Sequence, residues 1–112
     1  MWREINWERG VRSGTGTHVY SSGSEYEGEF FADKKEGFGN MKFANGNFYE
    51  GDFSNDLMNG QGFMLYKNGD EYLGEFLNDK RHGKGVMKKK YSGDNAAVIE
   101  EGLFQNDEYV GP

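Results

Sequence analysis

The sequence repeats with a period of 23 residues, and this period constrains the fold more than any other feature. Glycine, tyrosine and phenylalanine recur at fixed places, in six aligned series. The series are Gly14, Gly37, Gly60 and Gly83; Gly16, Gly39, Gly62 and Gly85; Gly23, Gly46 and Gly69; Tyr26, Tyr49 and Tyr72; Gly28, Gly51 and Gly74; and Phe30, Phe53 and Phe76. A fixed period is the signature of a repeat protein, in which each unit packs on its neighbours.

The repeat divides the chain into five units within one domain, which we expect to span residues 1–112. The approximate bounds of the units are 3–25, 26–48, 49–71, 72–99 and 100–112. The first and last units are degenerate, as the capping units of repeat arrays commonly are. The step from Gly74 to Gly102 is longer than the period, which predicts an insertion centred on residues 94–98.

Side chains within each unit alternate in a pattern that predicts strands. The tyrosine, glycine and phenylalanine of residues 26–30 fall on one face of an extended chain, and two glutamates fall on the other. Paired glycines argue against helix, where each costs about 1 kcal/mol relative to alanine. Each unit is therefore predicted to be a β-hairpin. We expect tight turns at Asn45-Gly46 and Asn68-Gly69, and longer polar connections at residues 32–36, 54–59 and 77–82.

The predicted fold is all-β: a single-layer, elongated, twisted antiparallel β-meander of about ten strands, built from 23-residue hairpin repeats. At about 4.8 Å per strand, such a sheet would be roughly 45 Å long. No helical pattern is present to cover either face. We therefore expect one aromatic face and one charged face.

Composition limits the partners and the location. The net charge of −6 argues against nucleic acid, because phosphate binding needs a concentrated positive field. The chain has no cysteine, no apolar run long enough to span a bilayer, and no apolar signal segment near Met1. These features predict a soluble, cytoplasmic protein.

The sequence offers no catalytic or cofactor-binding constellation. His18 and His82 stand at non-equivalent places in different units, and no serine lies in a Gly-x-Ser-x-Gly elbow. The Gly-x-Gly pairs lie inside predicted strands and open no helix, so they are not phosphate loops. Acidic pairs recur in every unit, whereas catalytic carboxylates need two different environments. We therefore expect no enzyme activity, cofactor, metal site or small-molecule substrate.

The aromatic residues of the predicted ring-bearing face form the first candidate site. They are open to two interpretations, the core of a thin sheet and a groove that binds a partner, and one face of a single layer can serve as both. The candidate groove residues are Tyr26, Phe30, Phe43, Tyr49, Phe53, Tyr66, Tyr72 and Phe76.

Two charged sets are further candidates. An acidic stripe is predicted on the other face, as a solvated surface or as a dock for a basic partner segment. It consists of Glu27, Glu29, Glu50, Asp52 and Glu75. A basic cluster could contact anionic lipid, at about 1 kcal/mol per residue, or could keep an exposed strand from aggregating. It consists of Lys88, Lys89 and Lys90.

The unit resembles the MORN repeat (membrane occupation and recognition nexus). The resemblance rests on Tyr-x-Gly-x-Phe at residues 26–30, 49–53 and 72–76, and on the His-Gly-x-Gly step at residues 82–85. It implies a single-layer sheet with a groove lined by the tyrosine and phenylalanine positions, as in small stand-alone adaptors of the family. The expected function is that of a non-catalytic adaptor or scaffold in a cytoskeletal or ciliary assembly.

The expected partner is a protein, held as a peptide or helix in the groove or through sheet-edge association of two copies. Two alternatives remain open from the sequence. One is a phosphoinositide or membrane-surface module that binds anionic lipid. The other is a regulatory repeat domain of a larger enzyme.

Overall fold

The computed structural model describes residues 5–8, 11–90 and 97–112, and the regular structure of these residues is entirely β-strand. Ten strands follow one another: β1 (Ile5–Glu8), β2 (Val11–Val19), β3 (Glu25–Phe31), β4 (Lys34–Lys42), β5 (Phe48–Ser54), β6 (Leu57–Leu65), β7 (Glu71–Leu77), β8 (Lys80–Lys90), β9 (Ala97–Gln105) and β10 (Glu108–Gly111). The order of strands in the one sheet is the order in the sequence, and neighbours are antiparallel. The molecule measures 53 × 27 × 17 Å. The predicted β-meander is confirmed, while most of the predicted insertion at 94–98 lies outside the described residues.

The positions of the tight turns differ from the prediction. Among the described residues, two-residue turns lie at Ala32-Asp33, Asn55-Asp56, Asn78-Asp79 and Asn106-Asp107, and longer connections were expected at the first three. The Asn-Gly pairs lie instead inside five-residue connections such as 43–47. In each of these four turns both residues have positive φ, between 48° and 74°. Asn and Asp tolerate this left-handed conformation, so Asn-Asp supports a tight turn without glycine.

The second residue of each later tight turn bonds to the hairpin before it. The Asp79 N–H donates to the Met58 carbonyl at 2.9 Å, and Asp79 Oδ1 accepts from the Met58 N–H at 2.8 Å. The same reciprocal pair recurs at Asp56 and Asp107. These bonds tie consecutive units together along one side of the sheet.

A bulge recurs in the first strand of each central hairpin. The register shifts between Gly28 and Phe30, and shifts at the equivalent places in β5 and β7. A bulge bends its strand and increases the local twist. Because the bulges keep the 23-residue period, the same bend is repeated along the sheet.

The face opposite the rings, called the open face below, is less polar than expected. Several apolar side chains on it are exposed, including Phe31 at 66% and Leu73 at 62%. This corrects the expectation of a charged second face. The alternation of residues defines which side chains share a face, but the open-face positions vary in character from unit to unit.

Candidate partner-binding face

The rings of the first face pack into one continuous ladder. Tyr26, Tyr49 and Tyr72 have no exposed surface, and the phenylalanines between them are 4–5% exposed. Neighbouring rings alternate along the sheet, with centroids 4.9–5.1 Å apart and interplanar angles of 78–88°. The last hairpin extends the ladder, since Tyr72 contacts Phe104 at 5.0 Å and Phe104 contacts Tyr109 at 5.3 Å. Such aromatic pairs contribute about 0.5–1.5 kcal/mol each beyond their buried area.

Tyr49 shows how a single layer can bury a large ring. The ring lies over Gly62 on the next strand, where an added Cβ would stand 2.4 Å from the tyrosine Cε1 atom. The Tyr49 hydroxyl donates to the carbonyl of Asp52, in the bulge, at 2.8 Å. Tyr26 and Tyr72 make the equivalent hydrogen bonds at 2.8 and 2.9 Å. Glycine is therefore required at position 62 because it has no side chain. The tyrosine hydroxyl satisfies a carbonyl that the bulge removes from the hydrogen bonding between strands.

Burial also sets the protonation of these tyrosines. It raises the pKa of Tyr26 and of Tyr49 far above the ordinary value, with a smaller increase from the neighbouring carboxylates. Burial raises the pKa of Tyr72 to about 12, although the nearby Arg81 guanidinium opposes this shift. The phenols are therefore neutral at physiological pH, and each hydroxyl keeps the proton that it donates.

Six of the eight predicted groove residues belong to this buried ladder: Tyr26, Phe30, Tyr49, Phe53, Tyr72 and Phe76. This corrects the expectation of an open groove lined by these rings, because each ring packs on its neighbours instead of facing solvent. Their contact with a partner stays a prediction. Only Phe43 and Tyr66 among the eight keep the partial exposure that a contact surface needs.

Phe43 and Tyr66 belong, with Tyr20, to a row of partly buried aromatics that we call the aromatic row. All three pack against the buried core, and each opens a five-residue connection. In each connection the N–H of the aromatic residue donates to the carbonyl four residues later, at 2.8–2.9 Å. Sequence reasoning missed Tyr20, although it stands one period before Phe43. It also missed Tyr109, which no periodic series includes.

Two cations lie over rings of this face. Lys35 Nζ is 5.5 Å from the centroid of the Tyr20 ring, and Arg81 Cζ is 5.5 Å from that of Tyr66. The Arg81 guanidinium also donates to the Tyr66 hydroxyl. Each cation is further paired with the aspartate of the next tight turn, at 3.5 and 3.8 Å. These pairings hold the cations beside the row and balance much of their charge.

The predicted acidic stripe divides into two groups. The carboxylates of Glu29, Asp52 and Glu75 each accept a backbone N–H of the next strand, across the bulge, at 2.5–3.0 Å. These three therefore have a structural task. Glu27 and Glu50 are exposed, and their contact with a basic partner stays a prediction.

The predicted lysine cluster is divided between two environments. Lys89 is partly buried, with its Nζ 3.3 Å from Glu100 Oε2, whereas Lys88 and Lys90 are exposed. Successive residues of a strand point to opposite faces, so the three lysines do not form one patch. Their contact with anionic lipid stays a prediction.

The histidines lie in ordinary surroundings. The His18 ring packs edge-on against Tyr20 at 4.2 Å, and His82 Nδ1 accepts the Asn106 N–H at 3.4 Å. Across residues 5–8, 11–90 and 97–112 there is no cluster of three side chains suited to hold a metal ion. The same residues include no helix that is long and apolar enough to cross a membrane.

Fold and site together define an open β-repeat protein, in which a buried ring ladder supports a row of partly exposed aromatics. The model of the MORN repeat matches residues 6–25, 26–48, 49–71 and 72–90. The chain therefore belongs to the MORN-repeat family, a non-catalytic repeat type that generally serves in protein or membrane interaction. A comparison with curated proteins finds no match. The last hairpin lies outside the matched ranges, yet its Phe104 continues the ladder.

Proposed function

We propose that this chain is a non-catalytic scaffold that binds a segment of a protein partner along the aromatic row. The observation that carries this proposal is the row itself. Tyr20, Phe43 and Tyr66 occupy the same place in three successive units, remain partly exposed, and rest on buried rings. Aromatic anchors supply a large contact area at a small cost in side-chain entropy, which is why they are favoured at interfaces.

The spacing of the row favours a helical partner segment. Consecutive members are two strands apart, which corresponds to about 10 Å along the sheet. Seven residues of α-helix rise about 10.5 Å, so apolar side chains seven residues apart on a helix match the spacing of the row. An extended segment would cover the same distance in about three residues, but side chains three apart point to opposite sides. The expected ligand is therefore a helix with apolar residues at positions i, i+7 and i+14.

The charges beside the row predict how binding responds to salt. Lys35 and Arg81 are each paired with an aspartate, so the row offers apolar area more than net charge. Binding along it should depend weakly on ionic strength. A membrane-surface module that used exposed lysines would lose affinity steeply as salt screens them.

A substitution in the row tests the proposal against a matched change elsewhere. Phe43→Ser removes a row anchor, while Phe31→Ser removes a 66% exposed phenylalanine of the open face. Loss of an interface anchor of this kind costs about 2 kcal/mol or more, or roughly thirtyfold in affinity. In quantitative affinity purification, Phe43→Ser should lose a partner that the wild type and Phe31→Ser both retain. Equal recovery by Phe43→Ser, with unchanged circular dichroism, contradicts the proposal.

We further propose that the scaffold works in the cytoplasm, in a cytoskeletal or ciliary assembly. Support for this location comes from the resemblance of the repeat to family members with such roles. Imaging of a tagged chain tests it. Wild type should concentrate on the assembly and Phe43→Ser should be diffuse, whereas uniform distribution of both contradicts the location.

A further inference from the structure

A contiguous apolar patch lies in the middle of the open face. Its members occupy strands β5 to β8 and pair directly across them. The members are Phe48, Phe63, Leu65, Leu73 and Val86. Leu73 is 62% exposed and Leu65 is 38% exposed, while the other three are partly buried. Exposed apolar surface with a polar rim is typical of an interaction site.

The exposed charges that flank the patch on its two outer strands, β5 and β8, have opposite sign. Glu50 on β5, which pairs across from Phe63, is exposed. Lys84 and Lys88 on β8, which lie on either side of Val86, are also exposed. The midpoint between β5 and β8 falls between β6 and β7. Two further acids belong to this face: Glu71 on β7 pairs across from Lys88, and Glu101 on β9 pairs across from Val86. A surface of this kind is complementary to itself after a half-turn.

We propose that the open face binds the open face of a second copy of this chain, in a two-fold symmetric dimer. An axis parallel to the strands, between β6 and β7, brings β6 of one copy over β7 of the other. Phe63 then faces the second copy's Leu73, and Glu50 faces the second copy's β8 between its two lysines. Because the axis is a two-fold, each of these contacts occurs twice.

The same two-fold rotation gives Phe38 a binding site on the second copy. Phe38 on β4 is 53% exposed and occupies the same row across the sheet as Leu103 on β9. Val86 and Leu103 line a shallow pocket of about 450 Å³. The symmetry sets β4 of one copy over β9 of the other, so that each Phe38 meets the partner pocket. An exposed ring and a pocket thus become complementary under the axis that the charges define.

The dimensions of the sheet are sufficient for such an interface. A stable interface of standard size buries about 800 Å² on each partner. The six strands β4 to β9 span about 29 Å at ~4.8 Å each, within a molecule 53 Å long and 27 Å wide. Stacked sheets pack about 10 Å apart, and an apolar sheet face is normally covered by a second layer. A second copy would supply that layer.

Charge reversal tests the symmetry directly. Glu50→Lys and Lys84→Glu should each weaken self-association about tenfold or more, because each places like charges at two symmetry-related contacts. An equimolar mixture of the two variants should associate again. In that heterodimer the lysine introduced in one copy faces the glutamate introduced in the other, and the second contact keeps its native Glu50 and Lys84. Sedimentation velocity over a concentration series measures all three samples.

Matched variants separate the proposed surface from a general effect on folding. Phe38→Ser and Leu73→Ser should weaken the dimer, while Phe31→Ser should leave it unchanged. Lys67→Glu in an exposed turn is the control for Lys84→Glu, since both reverse one positive charge. Thermal unfolding by circular dichroism confirms that each variant is folded.

Two results would overturn the proposal. One is a wild-type chain that sediments as a monomer at every soluble concentration. The other is a dimer that charge reversal does not weaken, or that the mixture of Glu50→Lys and Lys84→Glu does not restore. A dimer with either of these properties would associate through another surface, such as a sheet edge, and the apolar patch would then serve a different protein.

Discussion

The contact between Tyr49 and Gly62 makes the Gly62→Ala substitution a sensitive probe of the ring ladder. An alanine Cβ would stand 2.4 Å from both the Cε1 and the hydroxyl of a tyrosine that has no exposed surface. The ring can move only by giving up its hydrogen bond to Asp52 and its two ring contacts, each at 5.1 Å. Overpacking costs about 1–3 kcal/mol, the hydrogen bond about 1 kcal/mol and each ring pair about 0.5–1.5 kcal/mol.

Alanine in a strand recovers roughly 0.5–1 kcal/mol relative to glycine, so the net loss expected for Gly62→Ala is about 3–5 kcal/mol. Urea unfolding followed by circular dichroism measures it. Gly69→Ala is the control, because Gly69 lies in a surface connection with φ of +97° and a left-handed alanine costs about 1–2 kcal/mol. Gly62 carries no such conformational requirement, so only crowding by the ring can make it the more sensitive position. A smaller loss for Gly62→Ala than for Gly69→Ala would refute the packing argument.

Three further predictions concern stability. Ala32 adopts a φ of +52° where the other tight turns have asparagine, so Ala32→Asn should raise the free energy of unfolding by about 0.5–1 kcal/mol, and a loss in urea titration contradicts this. Asp79→Ala removes the acceptor of the Met58 N–H and also places alanine at a φ of +72°, so it should cost about 2–4 kcal/mol by the same measurement. A loss no larger than the roughly 1–2 kcal/mol expected for a left-handed alanine means that the inter-unit tie is dispensable. Burial raises the pKa of Tyr72 to about 12, from a value of about 10 in the unfolded chain. The stability that this neutral phenol contributes to the fold is therefore complete below pH 10 and is lost as the pH rises towards 12. Urea unfolding across this range should show the decline, with a shallower slope for Tyr72→Phe.

The sequence predicts the backbone of this protein well, because its periodicity reports directly on strand alternation and hairpin repetition. The recurrence of the Tyr26, Gly28 and Phe30 positions every 23 residues identifies the face that becomes the core. The same periodicity does not report how closely that face packs. The ring of Tyr26 disappears from solvent because it lies over Gly39 and contacts Phe53 of the next unit, and neither contact is visible in a one-unit pattern.

The errors have local physical causes. Asn-Gly was expected to form the tight turns, but Asn-Asp also adopts the required left-handed pair, and so does Ala32-Asp33. Glu29 was grouped with solvated acids because its position alternates outward. The bulge instead directs its carboxylate to the Phe38 N–H. Bulges depend on the partner strand, so a single strand pattern does not predict them.

Site-specific photo-crosslinking examines most directly whether the aromatic row binds a partner. A benzoylphenylalanine placed at position 43 reports on the row, and one placed at position 31 reports on an exposed phenylalanine of the open face. The predicted result is a discrete protein adduct from position 43 in the cells that express the chain, with no such adduct from position 31. An adduct from position 31 alone, or the same adduct from both, would contradict binding along the row.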